Sequence, residues 1–269
     1  PLLRNPLIFV VITLVISAVG WLRLPPRFIE TAIAVSVALA AANNLVRVVD
    51  ARPHQQYAAV HITGAVNLSG TNGIQRTANC EMASPEEFSG VAGKLGIGNH
   101  GTIVVYDTPN QYMGLVAWAF LYYGHQDVRL LDGGFEKWSR ERRPVSTQAV
   151  SFPQTTFKVK PVEEIYCSLS HAKASHSRSQ AVFWDTRSLA EFHGAGEGHG
   201  KPPPRPGHIE GAVHLDWLAL IDSETKTFKP AAELRALLES KGITLEREVS
   251  IAVAAGVAPS ARSFSRASC

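Results

Sequence analysis

The chain has 269 residues, 45% apolar and 18% charged, enough for one large domain or two ordinary ones, which excludes a disordered protein. Its formal charge of +3 comes from 26 basic and 23 acidic residues, and the only local basic group singled out, Arg140, Arg142 and Arg143, is short. No nucleic-acid partner is expected from so balanced a chain. Cys80, Cys167 and Cys269 are too few and too widely spaced for a disulfide framework or a CxxC site, and no histidine pair has zinc-helix spacing. A reducing compartment, cytoplasm or mitochondrion, is therefore favoured.

The chain opens with an awkward segment. Pro6–Leu22 holds 17 residues without a charge, between Arg4 and Arg23, which is the lower limit of a membrane span. Small residues precede Trp21 and Asn43, as they would at a processing site. Residues 1–44 read either as an anchor or signal segment, with a membrane or secretory route, or as a buried strand and helix opening the first domain.

From Leu45 the elements alternate. "LVRVVDAR" is an apolar strand ending in Asp50-x-Arg52, followed by "HITGAVNL", His61–Leu68. Ser84 stands as a helix N-cap with Glu86 and Glu87 in the first turn. "GTIVVYD" is a β-branched strand ending at Asp107, "YMGLVAWAFLYYGH" a buried helix closing at Gly124, "DVRLLDGG" a strand and "FEKWSRERR" a short helix. Ser146–Glu164 reads as a linker. The pattern then recurs: "AVFWDTR" ends in Asp185-x-Arg187, and "HIEGAVHL" runs from His208 to Leu215. The aspartates are 135 residues apart and the histidines 147 apart, the difference arising from an insert within the Gly/Pro-rich stretch Gly194–Gly207. A repeat this long implies duplicated domains rather than a solenoid. "TFKPAAELRALLESKGI" continues as helix and "REVSIAV" as strand. Strands alternating with helices imply parallel βαβ units.

Two copies of Asp-x-Arg with His-Ile-x-Gly-Ala-Val, together with "GHQDVRLLDGGFEKW" at Gly124–Trp138, resemble the rhodanese family over Leu45–Ala261. The tandem arrangement is similar to the two-domain thiosulfate and 3-mercaptopyruvate sulfurtransferases. The resemblance implies an α/β fold of two rhodanese-like domains, each a mainly parallel sheet flanked by helices. It implies domains at 45–145 and 165–269 joined by 146–164, with a site framed by strand ends between them. It also implies a small anionic sulfur donor, a thiol or cyanide acceptor, and no cofactor or metal. The first domain of such proteins usually lacks the sulfur-carrying cysteine, and Asp107 stands there.

In the second domain the resemblance places the cysteine at Val253, the start of a loop cradle of Ala254, Ala255, Gly256, Val257 and Ala258 leading into a helix. With only 16 residues after Val253, the second domain is expected to be incomplete. Persulfide chemistry needs a thiolate to attack and to carry sulfur, and valine supplies neither. Arg187 is the expected anion-holding residue, with a salt bridge to Asp185 as its other reading. Arg205 is a candidate substitute for the arginine that the family often places where Glu191 stands. Asp50, His61, Asp185 and His208 are expected to order loops. Trp118, Trp138, Trp184 and Trp217 are expected in core or interface. Three further readings stay open: a non-catalytic anion-binding or regulatory protein, a membrane-attached sulfurtransferase, and a phosphatase, for which the loop lacks Cys-x5-Arg.

Overall fold

The structure, a computed structural model, is described for residues 46–69, 74, 82–108, 112–176, 178, 180–195, 206–253 and 256–260, with backbone alone at 252, 253 and 256–260. The N-terminal segment, Cys80, Arg205, Ala254, Ala255 and Cys269 lie outside the described residues. Among the described residues no helix is long and apolar enough to cross a membrane.

Two four-stranded sheets organise the chain. The first contains β1 (Val46–Asp50), β3 (Val66–Asn67), β4 (Thr102–Tyr106) and β5 (Val128–Leu130), all parallel, in the order β3-β1-β4-β5. Its helices are α1 (His54–Ala59), α2 (Pro85–Lys94), α3 (Met113–Tyr122) and α4 (Gly134–Arg140). The two-residue alternation of the strands separates two packed faces. Val49, Ile103 and Val105 pack with Phe88, Val116 and Phe120 from α2 and α3. Tyr106 packs with Tyr57, Ile62 and Ala65, and Val48, Phe135 and Trp138 close this other face. The α2 helix starts as the sequence predicts: Ser84 and Glu87 form a reciprocal capping box, satisfying two otherwise orphan backbone donors.

The second sheet runs β10-β9-β7-β8, from β7 (Ala181–Asp185), β8 (Val213–His214), β9 (Glu248–Val253) and β10 (Gly256–Ser260). The β7, β8 and β9 strands are parallel. Helices α5 (Leu169–His176), α6 (Leu189–Phe192) and α7 (Ala231–Ser240) accompany them. Val182, Trp184, Leu215 and Val249 pack on one face with Leu237 and Leu238, and Cys167, Ala172 and Phe183 on the other. Trp118 and Trp138 are only partly covered and each donates to a carbonyl, of Ile165 and Pro144.

Two segments add to or change the expectations. First, Ser146–Glu164, read as a linker, runs as a strap along the first sheet's helices. Ser146 pairs with His61 in a short ribbon, β2 (His61–Ile62) with β6 (Val145–Ser146). Further on, Thr155 N–H donates to Gly93 O, Ser89 Oγ to Phe157 O, and Lys160 and Val162 N–H to Tyr123 and Tyr122 carbonyls. Phe157 is buried between Phe88 and Phe120. This contact also explains Gly93, where an added Cβ would meet Thr155 O at 2.5 Å, and Gly124, which turns with φ +97° against Lys160 O. Second, Gly256–Ser260 is not a loop leading into a helix. It returns along β9 as an antiparallel strand. Val257 favours extended backbone, and Pro259 falls where the register shifts between Ala258 and Ser260, the place where its missing N–H costs no ladder bond.

Candidate functional site at the carboxyl ends of the strands

Each sheet carries an Asp-x-Arg junction where an inner strand ends, β1 in the first and β7 in the second. In the first, Asp50 Oδ1 accepts from the backbone N–H of Arg52 (2.9 Å) and from its Nε (3.0 Å), while Arg52 Nη2 donates to Asp50 Oδ2 (2.6 Å) and to Val60 O (2.7 Å). In the second, Arg187 N–H and Nε donate to Asp185 Oδ1 (3.1 and 2.9 Å), and Nη2 donates to Asp185 Oδ2 (2.6 Å) and to Gly207 O (2.8 Å). Position for position, the chain builds the same fork twice. Such bidentate pairs are rigid as well as strong.

A third residue holds each junction from the neighbouring strand. The register places Asn67 beside Asp50 and His214 beside Asp185. Asn67 Nδ2 donates to the carbonyls of Asp50 and Arg52 (3.0 and 2.9 Å), and His214 Nε2 lies 2.8 Å from the carbonyl of Arg187. The sequence reading missed both, although each follows a recognisable "Gly-Ala-Val".

The junctions differ in what lies on the other side. Tyr106 donates its hydroxyl to Asp50 Oδ2 (2.6 Å) and accepts from Ile62 N–H (3.0 Å), and Arg52 lies over the Phe135 ring at 3.9 Å. Burial and the negative Asp50 beside it hold the Tyr106 hydroxyl well above its ordinary pKa. Burial works against the charge of Arg52, but its hydrogen bonds to Asp50 and that carboxylate's charge leave its pKa raised. In the second sheet the partner of Asp185 in the adjacent strand is Ala252, which has no hydroxyl to give. The side chain of Arg187 is 17% exposed against 4% for Arg52. The bonds to Asp185 hold the Arg187 pKa up, with Glu191 adding a smaller attraction. Among the described residues Arg187 Nη1 makes no hydrogen bond.

The registers also equate the residues that follow. Asp50 pairs with Tyr106 and Asp185 with Ala252, so the next residues, Asp107 and Val253, occupy corresponding places at the ends of β4 and β9. Asp107 is buried and accepts from the N–H groups of Thr108 and Tyr112, while its own carbonyl accepts from Phe135 N–H. Burial pushes its carboxyl pKa up, against those N–H groups. It is held as a turn-former. Neither position carries a thiol or hydroxyl.

The other predicted residues are placed as follows. His61 is fully buried, with Nδ1 2.8 Å from Tyr57 O and Nε2 3.0 Å from Gln148 O, so it ties α1 to the strap. His208 is exposed, stacks on Phe192 at 3.7 Å and lies with Nδ1 2.8 Å from Phe192 O. Glu191 is spent on a capping box with Ser188. Of the predicted cradle, Gly256, Val257 and Ala258 lie in β10. Cys167 is buried beneath the second sheet, 3.5 Å from Ser250 Oγ.

The chain resembles known proteins in both sequence and fold. The sequence profile of the rhodanese-like domain matches residues 35–141. A protein of Mycolicibacterium smegmatis, provisionally named a thiosulfate sulfurtransferase, is 35% identical over 198 residues, covering 71% of this chain and 70% of that protein. The sulfur carrier protein TtuD of Thermus thermophilus is 33% identical over 202 residues, covering 72% of this chain and 70% of TtuD. Among solved structures, the 3-mercaptopyruvate sulfotransferase SseA of Escherichia coli superposes with a TM-score of 0.71 at 22% identity, covering 82% of this chain and 87% of SseA. Longer relatives share the fold too, the chain spanning about half (52%) of YnjE. The repeated fork, the parallel sheets and these sequence likenesses lead to one conclusion: the chain belongs to the rhodanese family.

Proposed function

We propose that the chain is built on the two-domain plan of the thiosulfate and 3-mercaptopyruvate sulfurtransferases and that position 253 is its sulfur-carrying position, occupied here by valine. The observation that carries this reading is the matched register, which makes Val253 the counterpart of Asp107, at the strand end beside the more open Asp-x-Arg fork. In the parent chemistry a cysteine thiolate attacks the outer sulfur of the donor. With thiosulfate, the S–S bond breaks, sulfite leaves with the electron pair, and the cysteine becomes a persulfide. A thiol or cyanide then attacks the terminal sulfur and the thiolate is released, so no external oxidant or reductant is needed. Valine can take no part in either step.

The sequence as it stands is therefore read as silent in sulfur transfer. The test is a thiosulfate:cyanide and mercaptopyruvate assay of the chain beside Val253→Cys. A silent parent and an active variant support the reading, whereas turnover by the parent well above buffer sinks it. The partly exposed Arg187, with Nη1 free among the described residues, favours a second reading in which the chain still binds a small anion without turning it over. Retained sulfate or thiosulfate binding that is lost in Arg187→Ala would distinguish it.

A further inference from the structure

A cleft of about 390 Å³ opens at the end of β3, between the start of α1 and the last turn of α2. That volume lies within the range of small-ligand pockets. Leu68, Val91 and Leu95 form its apolar wall, and His54, Asn67, Ser69 and Lys94 its polar side. Among the described residues no carboxylate lines it, the ammonium of Lys94 is the one formal charge on the lining, and Lys94 has no ion-pair partner. The histidine's role follows from Asn67. Both hydrogens of Asn67 Nδ2 are committed to the carbonyls of Asp50 and Arg52, which fixes the amide. Its Oδ1 then faces His54 Nδ1 at 3.3 Å, and an acceptor oxygen there demands a hydrogen on Nδ1. The neutral ring is left with a lone pair on Nε2, which has no partner among the described residues.

We propose that this cleft binds a small aliphatic carboxylate that also carries an O–H or S–H donor. Lys94 takes the carboxylate, His54 Nε2 accepts from the donor, and Leu68, Val91 and Leu95 cover a carbon body a few atoms long. The site owes nothing to position 253, and its test is independent of sulfur transfer.

The experiment titrates the full chain, by NMR and calorimetry, with 3-mercaptopropionate, 3-hydroxypropionate and propionate. We expect shifts at His54, Asn67 and Leu95. The two donor-bearing acids should bind several-fold more tightly than propionate, by the strength of one hydrogen bond. Equal gains for thiol and hydroxyl assign the recognition to donation alone, and a gain confined to the thiol narrows the class to thiols. Lys94→Gln should weaken all three about tenfold, the loss of one charge-assisted contact. His54→Phe should erase the preference over propionate, and Val91→Phe should fill the cleft and abolish binding. Lys94 and His54 are exposed, so loss of fold does not obscure either result. Absence of shifts at millimolar ligand, full affinity in Lys94→Gln, or binding retained in Val91→Phe would overturn the proposal.

Discussion

The two Asp-x-Arg forks repeat nearly bond for bond, yet they sit in different surroundings. In the first sheet Tyr106 and Phe135 seal the fork, and Arg52 is 4% exposed. In the second, Ala252 stands where Tyr106 would be, and Arg187 is 17% exposed. The same sequence motif thus serves two ends. Sealed, it is a structural knot whose guanidinium is buried between Asp50 and the Phe135 ring. Open, it leaves part of the guanidinium at the surface. What separates the two is the Tyr106 hydroxyl and the Phe135 ring rather than the motif itself.

The largest test of this contrast removes the guanidinium. Arg52→Ala leaves Asp50 buried without its partner, and we expect a loss of about 3–5 kcal/mol by chemical denaturation. Arg187→Ala should cost less, about 1–3 kcal/mol, because water reaches the vacated carboxylate. Equal losses would break the comparison. Next comes the seal: Tyr106→Phe deprives Asp50 of one donor and Ile62 N–H of its acceptor, an expected loss of about 1–3 kcal/mol.

Acid sharpens the contrast from the other end of the second sheet. Glu248 accepts from His171 and Ser175 and lies 3.6 Å from Arg178, and its hydrogen bond from His171 leads the effects that hold its pKa below the ordinary glutamate value. A lowered carboxylate stabilises the fold above its unfolded pKa, and that stability is lost as pH falls through the folded pKa. Glu248→Gln should therefore weaken the second half at neutral pH, by up to about 1 kcal/mol, and match the parent below the carboxylate range. A pH-independent difference would place the effect in packing. An effect of similar size comes from a cap. Ser188 opens α6 with a capping box, whereas the corresponding α1 begins at Pro53 with no side-chain cap. Ser188→Ala should cost about 1 kcal/mol.

Much of the fold is legible in the sequence because its signals are local. Strands show as β-branched runs, Ser84 shows as a cap, and the forks show as a repeated Asp-x-Arg. The strap does not show, because its anchors are backbone groups: Thr155, Lys160 and Val162 donate main-chain N–H groups that leave no side-chain signature. The Tyr106 seal is also invisible, since it joins residues 56 positions apart and depends on the register of β1 against β4. The same holds for Asn67 and His214. The return of Gly256–Ser260 as a strand escaped because a glycine turn opens a helix or a hairpin equally well, and only the uncovered edge of β9 decides.

The most direct measurement is the intact mass of Val253→Cys after exposure to thiosulfate and removal of excess donor, beside the parent chain treated identically. We expect the variant to gain one sulfur atom, mapped to position 253 and removed by cyanide, and the parent to gain none. A sulfur found on Cys80, Cys167 or Cys269 of the parent, or a folded variant that stays unlabelled, would contradict the assignment of position 253.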